Sequence, residues 1–128
     1  MNFLLDTHAF LWWINDDSRL SLPAREIIST RENELFLSAA SGWEISIKSQ
    51  IGRLRLPDVP AEFVSRQLSL NGIRALPIMM SHALHYHTLP MLHRDPFDRM
   101  IIAQAQVEKL PILSADPMIS HYDVEVVW

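Results

Sequence analysis

A chain of 128 residues, 48% of them hydrophobic, has the length and apolar content of one compact domain with a core of its own. It contains no cysteine, which excludes disulfides and thiolate chemistry, and no apolar run approaches the roughly 20 residues that cross a bilayer, so a soluble, cytoplasmic protein is expected. The net charge of −4 argues against a uniformly basic face that coats nucleic acid but leaves a nuclease open, because such a site is acidic until a cation fills it.

The chain starts on Phe3-Leu4-Leu5 and an aspartate, without the basic and long apolar regions of a secretory leader. Residues 2–5 read as a short buried strand. Thr7 is placed to cap a helix carrying Phe10, Leu11 and Ile14, which ends in the turn-prone run Asn15-Asp16-Asp17-Ser18. Ser21 and Pro23 open a second helix reaching about Thr30, and Leu35-Phe36-Leu37 forms a second strand. The helix after it has an apolar row stepping by four, Ala39, Trp43, Ile47 and Ile51, with Gly52 as its stop. A helix over 60–70 closes on Asn71-Gly72, and residues 73–78 supply a third strand. Residues 81–88 read as helical, as do 96–109, where Phe97, Ile101 and Ala105 share a face. Residues 110–113 give a fourth strand and 124–127 a short fifth. No repeat, low-complexity tract or linker interrupts the series, so 1–128 reads as a single domain.

Strands alternating with helices imply parallel strands joined by right-handed crossovers. The strands are short and apolar throughout, as expected when helices cover both faces of a sheet. The expected fold is therefore an α/β sandwich, and in such sheets ligands bind beyond the carboxyl ends of the strands. Asp6 directly follows the first strand, Glu44 lies in the early turns of the helix after the second, and Asp116 follows the fourth. Asp98 stands in the first turn of the helix that feeds the fourth strand, and its arrival at the same edge depends on that crossover.

Each acid also has an architectural reading. Asp6 can simply start a helix, and Asp116 before Pro117 can serve as an N-cap. Glu44, three residues after Ser41, has capping-box spacing and can pair with Lys48. In "HRDPFDRM", Asp95 fits the N-cap, Pro96 the first helical position and Asp98 the third, so Asp98 is the acid left to point outward. Gathered together, however, these acids would be unstable alone. Two carboxylates about 4 Å apart repel by roughly 4 kcal/mol at an effective dielectric of 20. Such a cluster protonates or binds a cation, and oxygen donors suit Mg²⁺ or Mn²⁺, whose open water positions allow phosphodiester hydrolysis.

The segments "FLLDTHAFLWW", "LSAASGWEISIK", "IGRLRLP", "HRDPFDRMIIAQA" and "ILSADP" occur in that order. They closely resemble PIN-domain proteins of the VapC toxin type, and the similarity spans essentially the whole chain. The resemblance implies a three-layer α/β/α sandwich around a short, mainly parallel sheet, and a Mg²⁺- or Mn²⁺-dependent ribonuclease built from acids. Carried over by motif, these are Asp6 of "LLDTH", Glu44 of "GWEISIK", Asp98 of "FDRMIIAQA" and Asp116 of "LSADP", with Asp95 as the cap. Asp6 and Asp98 are expected to hold the ion directly, with Glu44 and Asp116 bound to it or just behind. The implied products carry a 5′-phosphate and a 3′-hydroxyl. The resemblance further implies a toxin–antitoxin pair, with a small cognate antitoxin as inhibitor and a homodimeric toxin. Ser114 and Thr7 are candidates to orient ligands.

Other features are read as structural. Arg99 and Lys48 offer phosphate contacts, but a solvated helix face explains both. In "HALHYH", His85 and His87 are two apart and do not share a helix face, so the His82, His85, His87 run is not read as a zinc site. His8 could touch substrate, yet is read as partly buried. Trp12 and Trp13 are not expected to both face inward, which leaves one for a dimer or antitoxin contact. Two alternatives remain: a PIN-fold binding scaffold without turnover, and a phospho-acceptor signalling module. The module would want an aspartate after the third strand, where the chain has Pro77-Ile78-Met79.

Overall fold

The computed structural model describes residues 1–128. Five strands, β1 (Asn2–Leu5), β2 (Glu34–Ser38), β3 (Ile73–Leu76), β4 (Ile112–Leu113) and β5 (Val126–Val127), form one sheet in the order β3-β2-β1-β4-β5. All four pairings are parallel. The helices are α1 (Thr7–Ile14), α2 (Leu22–Ser29), α3 (Ala39–Gln50), α4 (Pro60–Asn71), α5 (Met80–His85) and α6 (Pro96–Glu108). The α/β/α sandwich expected from the alternation of elements is the fold observed.

Side chains of β1 alternate between two cores because successive residues of a strand point to opposite faces. Phe3 and Leu5 join Phe10, Ala24, Ile28 and Ile45 of the helices on one side. Leu4 joins Ile101, Ile102 and Ala105 of α6 on the other. Both strand faces are thus buried, which is why the strands read as unbroken apolar runs. Gly72 ends α4 in the left-handed conformation at φ 63°, where a Cβ would be strained.

Three strands are shorter than their apolar runs suggest. β3 stops before Pro77, and β4 begins only after Pro111, since proline has no N–H for a ladder. β5 is likewise two residues rather than four. The row expected on α3 is also reversed. Ala39, Trp43 and Ile51 are exposed, whereas Ala40, Ser41, Glu44 and Ile45 face inward. The chain runs outward from β1 in one direction to β2 and β3, then returns to β4 and β5 on the other side. The reversal falls at the boundary of β1 and β4, where open α/β sheets form their binding crevice.

Candidate active site

The register sets Leu5 beside both Leu37 and Leu113, so Asp6, Ser38 and Ser114 stand abreast at the carboxyl edge of the sheet. Asp6 is itself the N-cap of α1, and its Oδ1 accepts the Ala9 amide at 2.7 Å. Thr7, expected as the cap, is the first helical residue; its hydroxyl donates to Ser41 Oγ at 2.8 Å rather than reaching an acid. Ser114 lies beside the Asp6 carboxylate, where its hydroxyl favours the charged form, and its Oγ accepts the Asp116 amide at 3.0 Å. Ser38, and not Ser41, caps α3 through the Ala40 amide. That start turns Glu44 inward, where it is buried and its Oε2 meets Lys48 Nζ at 2.7 Å.

Asp95 caps α6, accepting the amides of Phe97 and Asp98 at 2.8 and 3.3 Å. The Asp98 carboxylate is therefore free of capping and lies at the same edge as Asp6. Asp116 uses one oxygen to accept the Met118 amide at 2.9 Å and turns the other toward His93. His93 Nε2 sits 2.9 Å from Asp116 Oδ2 and 3.1 Å from Asp98 Oδ2. Its Nδ1 accepts the Asp95 amide at 3.2 Å, which leaves Nε2 as the protonated donor to the two carboxylates.

The electrostatics of the acids are shared. Burial pushes the Asp98 carboxyl up to about 7, with Asp95, Asp6 and Glu44 adding to the rise and His93 opposing it. Burial also raises Asp6, Asp116 adds to the effect, and the Ser114 hydroxyl, the bond from Ala9 and the nearby His8 oppose it. The donor set fits a small, hard divalent cation. The Asp98 and Asp116 carboxylates and His93 lie with their ligand atoms within 4.8 Å of one another, two oxygen donors and a ring nitrogen that must give up its proton to bind an ion. Glu44 Oε1 is buried with no hydrogen-bond partner, a carboxylate oxygen whose desolvation the chain leaves uncompensated.

The motifs do not mark His93. Its signal is its place two residues before the Asp95 cap, close enough to bond back to the helix start. Arg99, by contrast, is neither a phosphate contact nor solvated. It is buried, donates to the Pro90 carbonyl at 2.9 Å and the Tyr122 hydroxyl at 3.2 Å, and stacks over Tyr86. His82 is also buried; it pins α5 to α6 through Glu108 at 2.8 Å, while His85 meets Gln106 at 2.7 Å. None of the His82, His85, His87 run joins a group able to hold a metal. His8 is exposed rather than partly buried, and stacks on Trp12. Both tryptophans are half-buried: Trp12 packs against Trp128, and Trp13 donates to Asn71 at 2.9 Å. The exposed tryptophan is Trp43, edge-on to Phe97.

A family model described as PIN domain matches residues 3–125. Ribonuclease VapC22 of Mycobacterium tuberculosis is 33% identical over 103 residues, covering 80% of this chain and 77% of that protein. Ribonuclease VapC16 of the same organism is 34% identical over 61 residues, 48% of this chain, and the match spans only 43% of that relative's length. Among solved structures, that of VapBC2 from Rickettsia felis bound to a promoter DNA fragment superposes with a TM-score of 0.76. The superposition covers 99% of this chain and 98% of that one at 12% identity, a likeness of fold. No helix is long and apolar enough to cross a membrane.

Proposed function

Because the chain belongs to the PIN-domain family, we propose that it is a divalent-metal-dependent ribonuclease acting as the toxin of a toxin–antitoxin pair. The observation that carries this reading is the convergence of acids from four separate elements on one edge, with one buried carboxylate oxygen left without a partner. The ribonuclease names of the two relatives support the activity, and the VapBC likeness supports a small antitoxin as partner.

Asp6 and Asp98 would hold the cation, Mg²⁺ or Mn²⁺, with Glu44 and Asp116 completing its surroundings. When bound, the ion supplies Lewis acidity at the phosphorus and lowers the cost of deprotonating water. The chain's own residues do the rest. A carboxylate of the cluster accepts the proton of the attacking water, and the Ser114 hydroxyl beside Asp6 favours that carboxylate's charged form. Lys48 neutralises the far side of Glu44, so that the cluster does not repel the substrate phosphate at full charge. In-line attack of the water oxygen on phosphorus breaks the P–O3′ bond, the departing oxygen takes a proton from solvent, and the products carry a 5′-phosphate and a 3′-hydroxyl.

The test is cleavage of RNA with and without Mg²⁺ or Mn²⁺, comparing wild type with Asp6→Asn and Asp98→Asn. Asparagine caps a helix as well as aspartate does, so Asp6→Asn keeps α1. Each substitution is expected to lower the cleavage rate by about 100-fold or more without loss of fold. Undiminished activity in either variant removes that residue from the mechanism, and metal-independent cleavage removes the ion.

A further inference from the structure

Directly beside the acids, a cleft of about 240 Å³ runs between α1 and the stretch that follows α3. It is continuous with the acidic site: Thr7 and His8 follow Asp6, and Lys48 pairs with Glu44 at 2.7 Å. In a chain of net charge −4, this cleft is lined by Lys48, Arg53 and Arg19 with one acid, Asp17, and Lys48 is held by Glu44. Arg19 already neutralises Asp17 through two contacts at 2.7 and 3.1 Å. Arg53 is exposed and has no carboxylate within ion-pairing distance.

Aromatic rings lie next to these cations. His8 stacks on Trp12 with centroids 5.5 Å apart and planes 27° apart, and the Arg19 guanidinium lies 5.0 Å from the Trp12 centroid. Trp12 is half-buried, with Trp128 edge-on and Arg19 over its ring, whereas His8 is exposed, so the stack offers its His8 side to another planar group. We propose that this cleft carries the single-stranded RNA flanking the scissile phosphate: Arg53 binds a backbone phosphate, and a base stacks on the His8–Trp12 pair.

The chemistry that selects this occupant is the alternation of charge and ring. A nucleic-acid strand presents a phosphate and a planar base per residue, and binding grooves for single strands answer with cations and aromatic rings in turn. Stacking requires an unpaired base, which a duplex does not offer. A strand whose phosphate sits among the acids must leave over some surface. On the opposite flank the surface is an apolar pocket of about 170 Å³ containing Trp43 and Phe97, with no cation in its lining. A polyanion leaves over the basic side. The identity of the strand rests on the ribonuclease reading, whereas the cleft's affinity for it is measurable without cleavage.

A fluorescent single-stranded RNA of mixed sequence is titrated with the full chain in EDTA across a range of salt, for wild type, Arg53→Gln, His8→Ala and a control, Arg31→Gln. Arg31 is exposed at the opposite edge of the sheet, between α2 and β2. Arg53→Gln is expected to weaken binding several-fold and to lower the slope of log Kd against log salt by about 0.7, the loss of one phosphate contact on a single strand. His8→Ala should weaken binding about fivefold or more with the slope unchanged. Arg31→Gln should alter neither. Wild-type affinity in both cleft variants, or an unaltered slope in Arg53→Gln, overturns the assignment, as does failure of wild type to bind at low salt. Loss of a protein partner with the RNA slope intact makes the cleft a protein-docking surface and overturns it equally. Cleavage of RNA by cleft variants that bind normally would leave the ribonuclease reading standing. Cleft-dependent binding without metal-dependent cleavage would remove the ribonuclease reading alone.

Discussion

Asp98 is pushed up to about 7 chiefly by burial, then by Asp95, Asp6 and Glu44, against 3.8 for an ordinary aspartate. The folded chain therefore holds this proton more tightly than the unfolded chain does. The stability linked to it is fully present below about pH 4 and is lost as pH rises to about 7, the reverse of a salt-bridged aspartate. Above that window the ionised carboxylate costs the metal-free fold on the order of 2 kcal/mol, after allowance for its partial exposure and shared charge. In EDTA at pH 8, Asp98→Asn should melt about 5 °C above wild type, with the gain vanishing near pH 4. Thermal unfolding at the two pH values decides the matter. A variant no more stable than wild type at pH 8 would show that the carboxylate carries no strain.

At the scale of elements, the start of α6 and the loop before it form one device. The Tyr122 hydroxyl accepts the amides of Leu92 and His93 at 3.2 and 2.8 Å and donates to the Pro90 carbonyl at 2.9 Å. Arg99, one turn into α6, donates to both that hydroxyl and that carbonyl. Together they fix the loop that brings His93 between Asp98 and Asp116. Tyr122→Phe keeps the ring's packing but leaves these buried groups short of partners, at a cost of about 1–3 kcal/mol. It should lower Tm and also slow RNA cleavage, because His93 and Asp98 lose their setting. A drop in Tm with the cleavage rate intact would confine the device to stability.

What the sequence shows and hides follows from the reach of each interaction. Asp95, Pro96 and Asp98 were legible because a helix cap is settled within four residues. Arg99, next in line, was not, since its partners Pro90, Tyr122 and Tyr86 come from other parts of the chain. On α3 the apolar row pointed to the wrong face. Periodicity assumes that buried means apolar, and here Ser41 and Glu44 are buried for the site while Trp43 is left outside. The parallel α/β architecture was legible from the alternation of elements; the strand order, which sets where Asp98 arrives, depends on crossovers that no local pattern encodes.

At the scale of the whole molecule, the acids come from segments far apart in the chain that the sheet and the helix packing bring to one edge. Asp6 follows the central strand, Glu44 comes from the β2 side, and Asp98 and Asp116 from the α6 and β4 side. The groups gathered there repel one another in the metal-free chain, and a cation held among them would tie both halves of the sheet to β1. Binding that favours only the folded state stabilises it by RT ln(1 + [L]/Kd), about 2.7 kcal/mol at a hundredfold excess over Kd. Mg²⁺ or Mn²⁺ should therefore raise Tm by several degrees as one cooperative shift, because every segment that meets at the site is held at once. The shift should be larger at pH 8 than at pH 5, since protons and the cation compete for the same oxygens. Monovalent salt at matched ionic strength should reproduce little of it, because screening acts weakly on buried charges. The gain should shrink in Asp6→Asn and Asp98→Asn, each of which removes a charge from the cluster. Calorimetry with and without the ion measures this directly; a Tm indifferent to millimolar Mg²⁺ and Mn²⁺ at pH 8 would mean that the acids do not act together as a cation site.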